Sequence, residues 1–502
     1  MSARQEMLVV PGRIEAGKIW SDNGLRLLLE PLKDEGGFVL LDDFDQSLQK
    51  SGRALLEIGG ELLLFAADGS VYDQATKASG GFVAEMTPGP VRKRLGDISP
   101  LRALLEVASG TAQSQQAALL DDEDKTQARA AIRVLSAAEG EVTLVTVELM
   151  RGYDKAFETL RASLIARGAT AQTGTIASKL APSLKPYVSK PAIPLDAGQT
   201  AHDVAVTIIR AYLEVARRNE AGTIADHDTE FLHDYRVALR KIRSVLSLFK
   251  GVFPHEQTVH LKSAFSELMA PTGPLRDLDV YLLEKDAYFE LLPDSLHRGL
   301  RDMFRTYQKE RDAAQQRIAR RFRSKAYADR MAELEQAFSE EDLSRGDKAD
   351  LPAAQYARAL IWKRYRKVCK IARAIDDSTP DEEVHELRIS CKKLRYLIEF
   401  FAPLFAAEDL AKVLKPLKKL QDNLGLFNDY SVQQEALRSF VKTHRSRDRA
   451  TDTEVALAVG GLITVLHKRQ LDERALVTAR FKQFDSDEVR ETARTLFHVT
   501  EG

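Results

Sequence analysis

Two histidines head the stretches of this chain best suited to chemistry. His233 is followed by Arg236, Arg240, Lys241 and Arg243, and His385 by Arg388, Lys392, Lys393 and Arg395. On a helix each residue advances about 100°. His385, Arg388, Lys392 and Arg395 then share an arc of about 80°, with Lys393 on the other shoulder. The set led by His233 falls the same way. Asp234 and Glu386 are the acids read beside these cations. Like charges three and four residues apart cost helix stability, so a stripe that accepts this cost twice points to a polyanionic partner. Arginine offers forked donors to phosphate oxygens and lysine a point charge. Histidine donates when neutral and adds charge when protonated. No carboxylate or cysteine stands at ligand spacing on that face, and the neighbouring cations would repel a divalent ion. Neither a metal nor a catalytic role is expected there. The plainer alternatives are a solvated basic face and a histidine bonded to a nearby loop.

The elements that must carry these residues are helices with a second, apolar face. Tyr235, Leu239, Ile242 and Leu246 lie opposite the first stripe; Leu387, Cys391, Leu394 and Ile398 lie opposite the second. Residues 233–253 and 385–405 align without a gap. Leu268/Leu420, Gly273/Gly425 and Asp277/Asp429 extend the match, so one supersecondary unit has been duplicated. Asp277 and Asp429 are expected to cap the next helix or to orient an arginine. A third basic face, with Lys363, Arg366 and Lys370 beside Lys367 and Arg373, precedes the second histidine, and Arg210, Arg217 and Arg218 precede the first.

With 502 residues and a net charge of −1, the chain is long enough for two or more domains, and its positive charge must be local. Its two cysteines, Cys369 and Cys391, fall on apolar helical faces and read as buried thiols in a reducing compartment. No secretory leader and no run of 18 apolar residues is present, which predicts a soluble, cytoplasmic chain with no membrane partner.

Residues 1–172 show short apolar runs separated by Gly, Asp and Asn, the pattern of strands and hairpins, and then a helix near 154–167. An α+β domain rich in antiparallel strands is expected. Residues 173–199, with Pro182, Pro186, Pro191 and Pro194, read as an extended linker. From 200 onward the periodicity is helical, including separate segments at 408–424 and 427–443 and a long one at 294–338.

The helical part resembles the CHAD domains (conserved histidine α-helical domains) through both histidine motifs, reinforced by residues 420–429 and a degenerate first copy at 268–277. The resemblance implies an all-α domain over 200–502. It would hold two pseudo-symmetric four-helix bundles, with halves about 200–345 and 350–500, whose histidine helices line a basic groove. It implies binding of inorganic polyphosphate by His233, Arg236, Arg240, Lys241, Arg243, His385, Arg388, Lys392, Lys393 and Arg395. Arg210, Arg218, Lys363, Arg366 and Lys370 are secondary candidates. It further implies association with a polyphosphate-metabolising enzyme or with storage granules in bacteria. The stripes lack interleaved aromatics for stacking bases, which argues against nucleic acid.

The first 172 residues are similar in order to the CYTH domains (triphosphate tunnel enzymes), through residues 38–69, 116–135 and 145–168. That family holds a divalent metal on an ExExK strand, which is missing here, and its strand of alternating basic residues is here the apolar run 54–65. A degenerate, non-catalytic relative with no cofactor is therefore expected. Three alternatives stay open: a metal-dependent triphosphatase recruiting Glu6, Glu15, Glu30 or Glu148, a nucleic-acid binder, and a scaffold for acidic proteins.

Overall fold

The computed structural model describes residues 5–13, 25–75, 81–196, 198–339, 344–376, 378–444 and 449–498. The chain divides into two compact units, Met1–Ser189 and Lys190–Gly502.

The first unit holds strands β1 (Gln5–Pro11), β2 (Arg26–Leu29), β3 (Lys33–Asp43), β4 (Ala54–Ile58), β5 (Glu61–Phe65), β6 (Val71–Gln74), β7 (Leu104–Leu120), β8 (Thr126–Ala137) and β9 (Glu141–Glu148). Its helices are α1 (Ser47–Lys50), α2 (Pro90–Arg94), α3 (Asp154–Ala166) and α4 (Thr175–Leu180). The strands form one curled antiparallel sheet in the order β1-β9-β8-β7-β3-β4-β5-β6, with β2 also pairing with β7. This is the α+β architecture that the CYTH resemblance implies. The apolar run 54–65 has a packing reason. It is the β4–β5 hairpin, turned by Gly59 and Gly60, both at positive φ. One of its faces (Leu55, Leu62, Leu64) packs with Val91 and Leu95, and the other (Ala54, Leu56, Leu63, Phe65) packs with α4. A strand covered on both faces reads as a continuous hydrophobic run.

The stretch read as a linker is structured at its start. α4 buries Ile176, Ala177 and Leu180 against Met7, Val9, Leu56 and Leu144. Beyond it the chain is irregular but still docked, with Tyr187 buried and its carbonyl accepting from Lys50 Nζ at 2.9 Å. The prolines removed backbone donors and hid the short amphipathic turn before them.

The second unit is helical: α5 (Ala201–Ala225), α6 (Thr229–Leu248), α7 (His255–Met269), α8 (Gly273–Leu283), α9 (Lys285–Glu290), α10 (His297–Phe322), α11 (Lys325–Ser339), α12 (Ala353–Arg373), α13 (Asp381–Phe401), α14 (Ala407–Thr443), α15 (Arg449–Phe484) and α16 (Asp487–Phe497). The starts of α5, α6, α7 and α10 recur 152 residues later as those of α12, α13, α14 and α15. Equivalent residues meet one another. Phe249 stacks on Phe401 with ring centroids 4.8 Å apart and planes 10° from parallel. Ala201 N donates to Leu351 O at 2.9 Å, and its copy Ala353 N donates to Gln199 O at 3.0 Å. Tyr281 Oη donates to Gln433 O, 152 residues on. A pseudo-twofold axis therefore runs through the unit. One half is the bundle of α5, α6, α7–α8 and α10–α11, and the other that of α12, α13, α14 and α15–α16.

The halves differ in one place that matters below. The first breaks between α7 and α8 at Ala270–Thr272, where Pro271 and Pro274 lack the donors a helix needs. The second has no proline there, so the two segments expected at 408–424 and 427–443 are one helix, α14. The long segment expected at 294–338 is instead divided into α10 and α11.

Candidate functional site

The histidine helices are held in phase by their buried faces. Tyr235, Leu239 and Ile242 on α6, and Leu387, Cys391, Leu394 and Ile398 on α13, are fully shielded, as their periodicity predicts. Asp228 caps α6 by accepting from Glu230 N and Phe231 N. With those stripes fixed inward, the cationic stripes turn to the other side, where α6 and α13 meet.

Arg240, Lys241, Lys392 and Arg395 line a cavity of about 530 Å³ together with Tyr212, Tyr396, Glu399, Phe400 and Gln421. Lys190, Pro191, Ala192 and Ile193 from the start of this unit also line it. The charges are crowded. Burial and the neighbouring Arg240, Arg388 and Lys241 bring the Lys392 ammonium down to about 8, against a smaller opposing pull from Asp429. Burial also lowers Lys241, although Glu399 accepts its hydrogen bond. The Tyr396 ring lies 4.2 Å from Lys241 Nζ and 5.8 Å from Lys392 Nζ, a cation–π bed for both.

The other expected residues divide. Arg388 stands 3.7 Å from Asp429 and adds its field to Lys392. His385 donates from Nδ1 to Asn428 Oδ1 at 2.6 Å, while the Asn428 amide donates to Asp429 Oδ1 at 3.3 Å, which fixes its orientation. With Nδ1 so engaged, Nε2 carries the lone pair in the neutral ring and can donate to an anion only when the imidazole is protonated. His233 is half-buried at the matching place on α6. Arg236 donates to Met269 O at 3.3 Å and Thr272 Oγ1 at 2.6 Å, closing the proline break of the first half. Arg243 reaches Met269 Sδ at 3.8 Å. Those two guanidiniums are engaged by the end of α7, a task that the unbroken α14 does not ask of Arg388. Lys393 faces away from the cavity lining, toward Arg364, Lys367, Lys250 and Glu386.

Among the secondary candidates, Lys363, Arg366 and Lys370 are exposed on α12. Arg210 instead caps α11 by donating to Phe338 O, and Arg218 is half-buried on α5. Asp277 and Asp429 lie within α8 and α14 rather than at caps, and both face arginines. Cys369 and Cys391 are buried and unbridged, and burial pushes the Cys369 thiol up to about 11.

Residues 207–438, which reach from α5 into α14 across both histidine helices, match the family model of the CHAD domain. The chain carries a CHAD domain. Among solved structures, the CHAD domain from the plant Ricinus communis is 27% identical over 61% of this chain and 96% of its own length, with a TM-score of 0.47. PptA from Streptomyces chartreusis is 16% identical over 56% of this chain and 97% of its own, with a TM-score of 0.42. No curated protein matches the chain.

Sequence reasoning missed several parts of this CHAD groove. Glu399 was legible, because it lies four residues after Arg395 on the same arc. Tyr212 and Gln421 come from other helices, and the strap Lys190–Ile193 precedes the repeat, so no spacing connects them with the stripe.

In the first unit, Arg161 Nε donates one bifurcated hydrogen bond to Glu6, 2.9 Å from each carboxylate oxygen, and Glu30 stands 3.9 Å from Lys33. Glu148 lies opposite Gln5 and Arg129 in the sheet. Glu15 lies outside the described residues. Among the described residues no three His, Cys, Asp or Glu side chains are grouped to hold a metal, and no helix is long and apolar enough to cross a membrane.

Proposed function

We propose that the CHAD domain binds inorganic polyphosphate, without hydrolysing it, in the groove between α6 and α13. The observation that carries this reading is the concentration of Arg240, Lys241, Lys392 and Arg395 in one cavity, where burial first and the crowded cations with it bring the Lys392 ammonium down to about 8. Such a site is short of negative charge, and a chain of phosphates supplies it with oxygens that every one of these donors can use. Its family is associated with polyphosphate binding. The rings beside the groove argue for phosphate over bases, since the Tyr396 face is already taken by Lys241 and Lys392. Arg388 and a protonated His385 extend the site along α13, and the exposed Lys363, Arg366 and Lys370 of α12 offer further contacts to a long polymer.

The first unit acts in this reading as a non-catalytic accessory, because Glu6 is held by Arg161 rather than offered to a metal. The protein would work in the cytoplasm, at polyphosphate or other storage granules, beside enzymes that make or consume the polymer.

The test is titration of the full chain with long-chain polyphosphate near physiological salt, with Mg²⁺ present and RNA as competitor, following bound polymer and released phosphate. Binding that RNA does not displace, with no phosphate released, is expected. Release of phosphate would instead establish a triphosphatase in the first unit, and equal displacement by RNA would establish a general polyanion site.

A further inference from the structure

Among the residues that line the groove, Glu399 brings a carboxylate into a site otherwise furnished with cations, aromatic rings, the Gln421 amide and apolar side chains such as Ile193 and Val237. It lies one turn beyond Arg395 on α13 and accepts hydrogen bonds from Arg395 Nε at 2.6 Å and from Lys241 Nζ of α6. Two cations from different helices thus converge on one anion. Its carboxyl is held below the usual range by Lys241 and Arg395, although burial acts in the opposite direction. Carboxylate and phosphate oxygens suit the same lysine and arginine donors. The arrangement is also one-sided, since 152 residues earlier the equivalent position on α6 is the uncharged Ser247.

We propose that Glu399 is a built-in competitor for the ligand: its carboxylate occupies one phosphate subsite, engages Lys241 and Arg395, and biases a bound polyanion toward the end of the groove formed by Arg240, Lys392 and Arg388. This rests on the polyanion reading of the groove. A polymer that spans the whole cavity must displace Glu399 or pass Lys241 and Arg395 by, so the resting site is weaker than its count of cations implies. The effect sets affinity and register, and it makes the two halves unequal for a ligand that has no direction of its own.

The experiment compares the full-length chain with Glu399→Gln, which keeps the size and an acceptor oxygen while removing the charge. Each is titrated with long-chain sodium polyphosphate at several salt concentrations. About tenfold tighter binding is expected for the variant. The plot of log affinity against log salt should also steepen by about 0.7 to 0.9, the increment for one further phosphate neutralised. Glu399→Ser, which gives this position the residue of the other half and leaves neither the charge nor the reach to Lys241, is expected to tighten binding by a similar factor. Binding by the wild type that Glu399→Gln leaves unchanged or weakens would overturn the inference alone, and weakening would make Glu399 a positioning residue for Lys241 and Arg395. If Glu399→Gln does not fold, affinity unchanged or weakened in Glu399→Ser would overturn it equally. Binding by none of the three would overturn this inference and the groove reading together.

Discussion

Raising the pH from about 7 to about 9 is expected to loosen polyphosphate binding about tenfold through Lys392. In the free protein its ammonium titrates at about 8, below the ordinary lysine value of 10.5, because burial, Arg240, Arg388 and Lys241 outweigh Asp429. Phosphates laid beside it offset both the burial penalty and the repulsion and draw it back toward the ordinary value, so the complex holds a proton that the free protein gives up. With about 8 in the free state and about 10.5 in the complex, binding at pH 8 takes up roughly half a proton, and affinity falls about tenfold by pH 9. The free fold responds with the opposite sign. Between those two values the unfolded chain binds the extra proton, so stability contributed by this group rises as pH climbs through 8. Isothermal titration in buffers of differing ionisation enthalpy reads the proton uptake directly. Lys392→Arg keeps the charge at all these pH values and should lose this component of the dependence, while Lys392→Gln should be weak throughout. A Lys392→Arg protein that follows the wild-type pH curve would refute the reasoning.

Three further outcomes follow from the same geometry. The double variant Arg388→Glu/Lys392→Glu should lose polyphosphate affinity by roughly a hundredfold or more with its helical circular dichroism unchanged; retained binding would move the site away from α13. Phe249→Ala removes the ring stacked on Phe401 in a fully buried setting and should destabilise the helical unit by about 3–5 kcal/mol, measured by urea unfolding. Ile176→Ala, on the completely buried face of α4, should cost the first unit about 2–5 kcal/mol; a change within error would return residues 173–180 to the status of a loose linker.

What was legible in the sequence is what repeats with a fixed period. The 152-residue offset and the two apolar stripes, Tyr235 to Leu246 and Leu387 to Ile398, placed α6 and α13 and the faces they turn to one another. What was not legible came from elsewhere in the chain or from backbone needs. Arg236 and Arg388 look identical as letters, yet one closes the proline break after Met269 and the other stands free of that duty beside Asp429. Lys241 and Lys393 are likewise equivalent in register but enter different surroundings, because Glu399 has no charged counterpart at Ser247. By sequence the apolar hairpin 54–65 looks only like the loss of a charged tunnel; the structure shows cover on both of its faces, and α4, which supplies one cover, is concealed beside prolines.

The stacked pair Phe249 and Phe401 sets a rule for how the two halves can diverge. A residue off the pseudo-twofold axis meets neighbours unlike itself, so each copy can change independently, as Glu399 and Ser247 have. A residue on the axis meets its own copy. Any replacement of Phe249 is felt at once by Phe401, as is any shift in the reciprocal bonds of Ala201 and Ala353. The duplicated chain is therefore free to specialise along the groove while its midline must change in matched pairs, and a half-length chain that ended near residue 350 would present that same midline as a self-complementary face for pairing with a second copy.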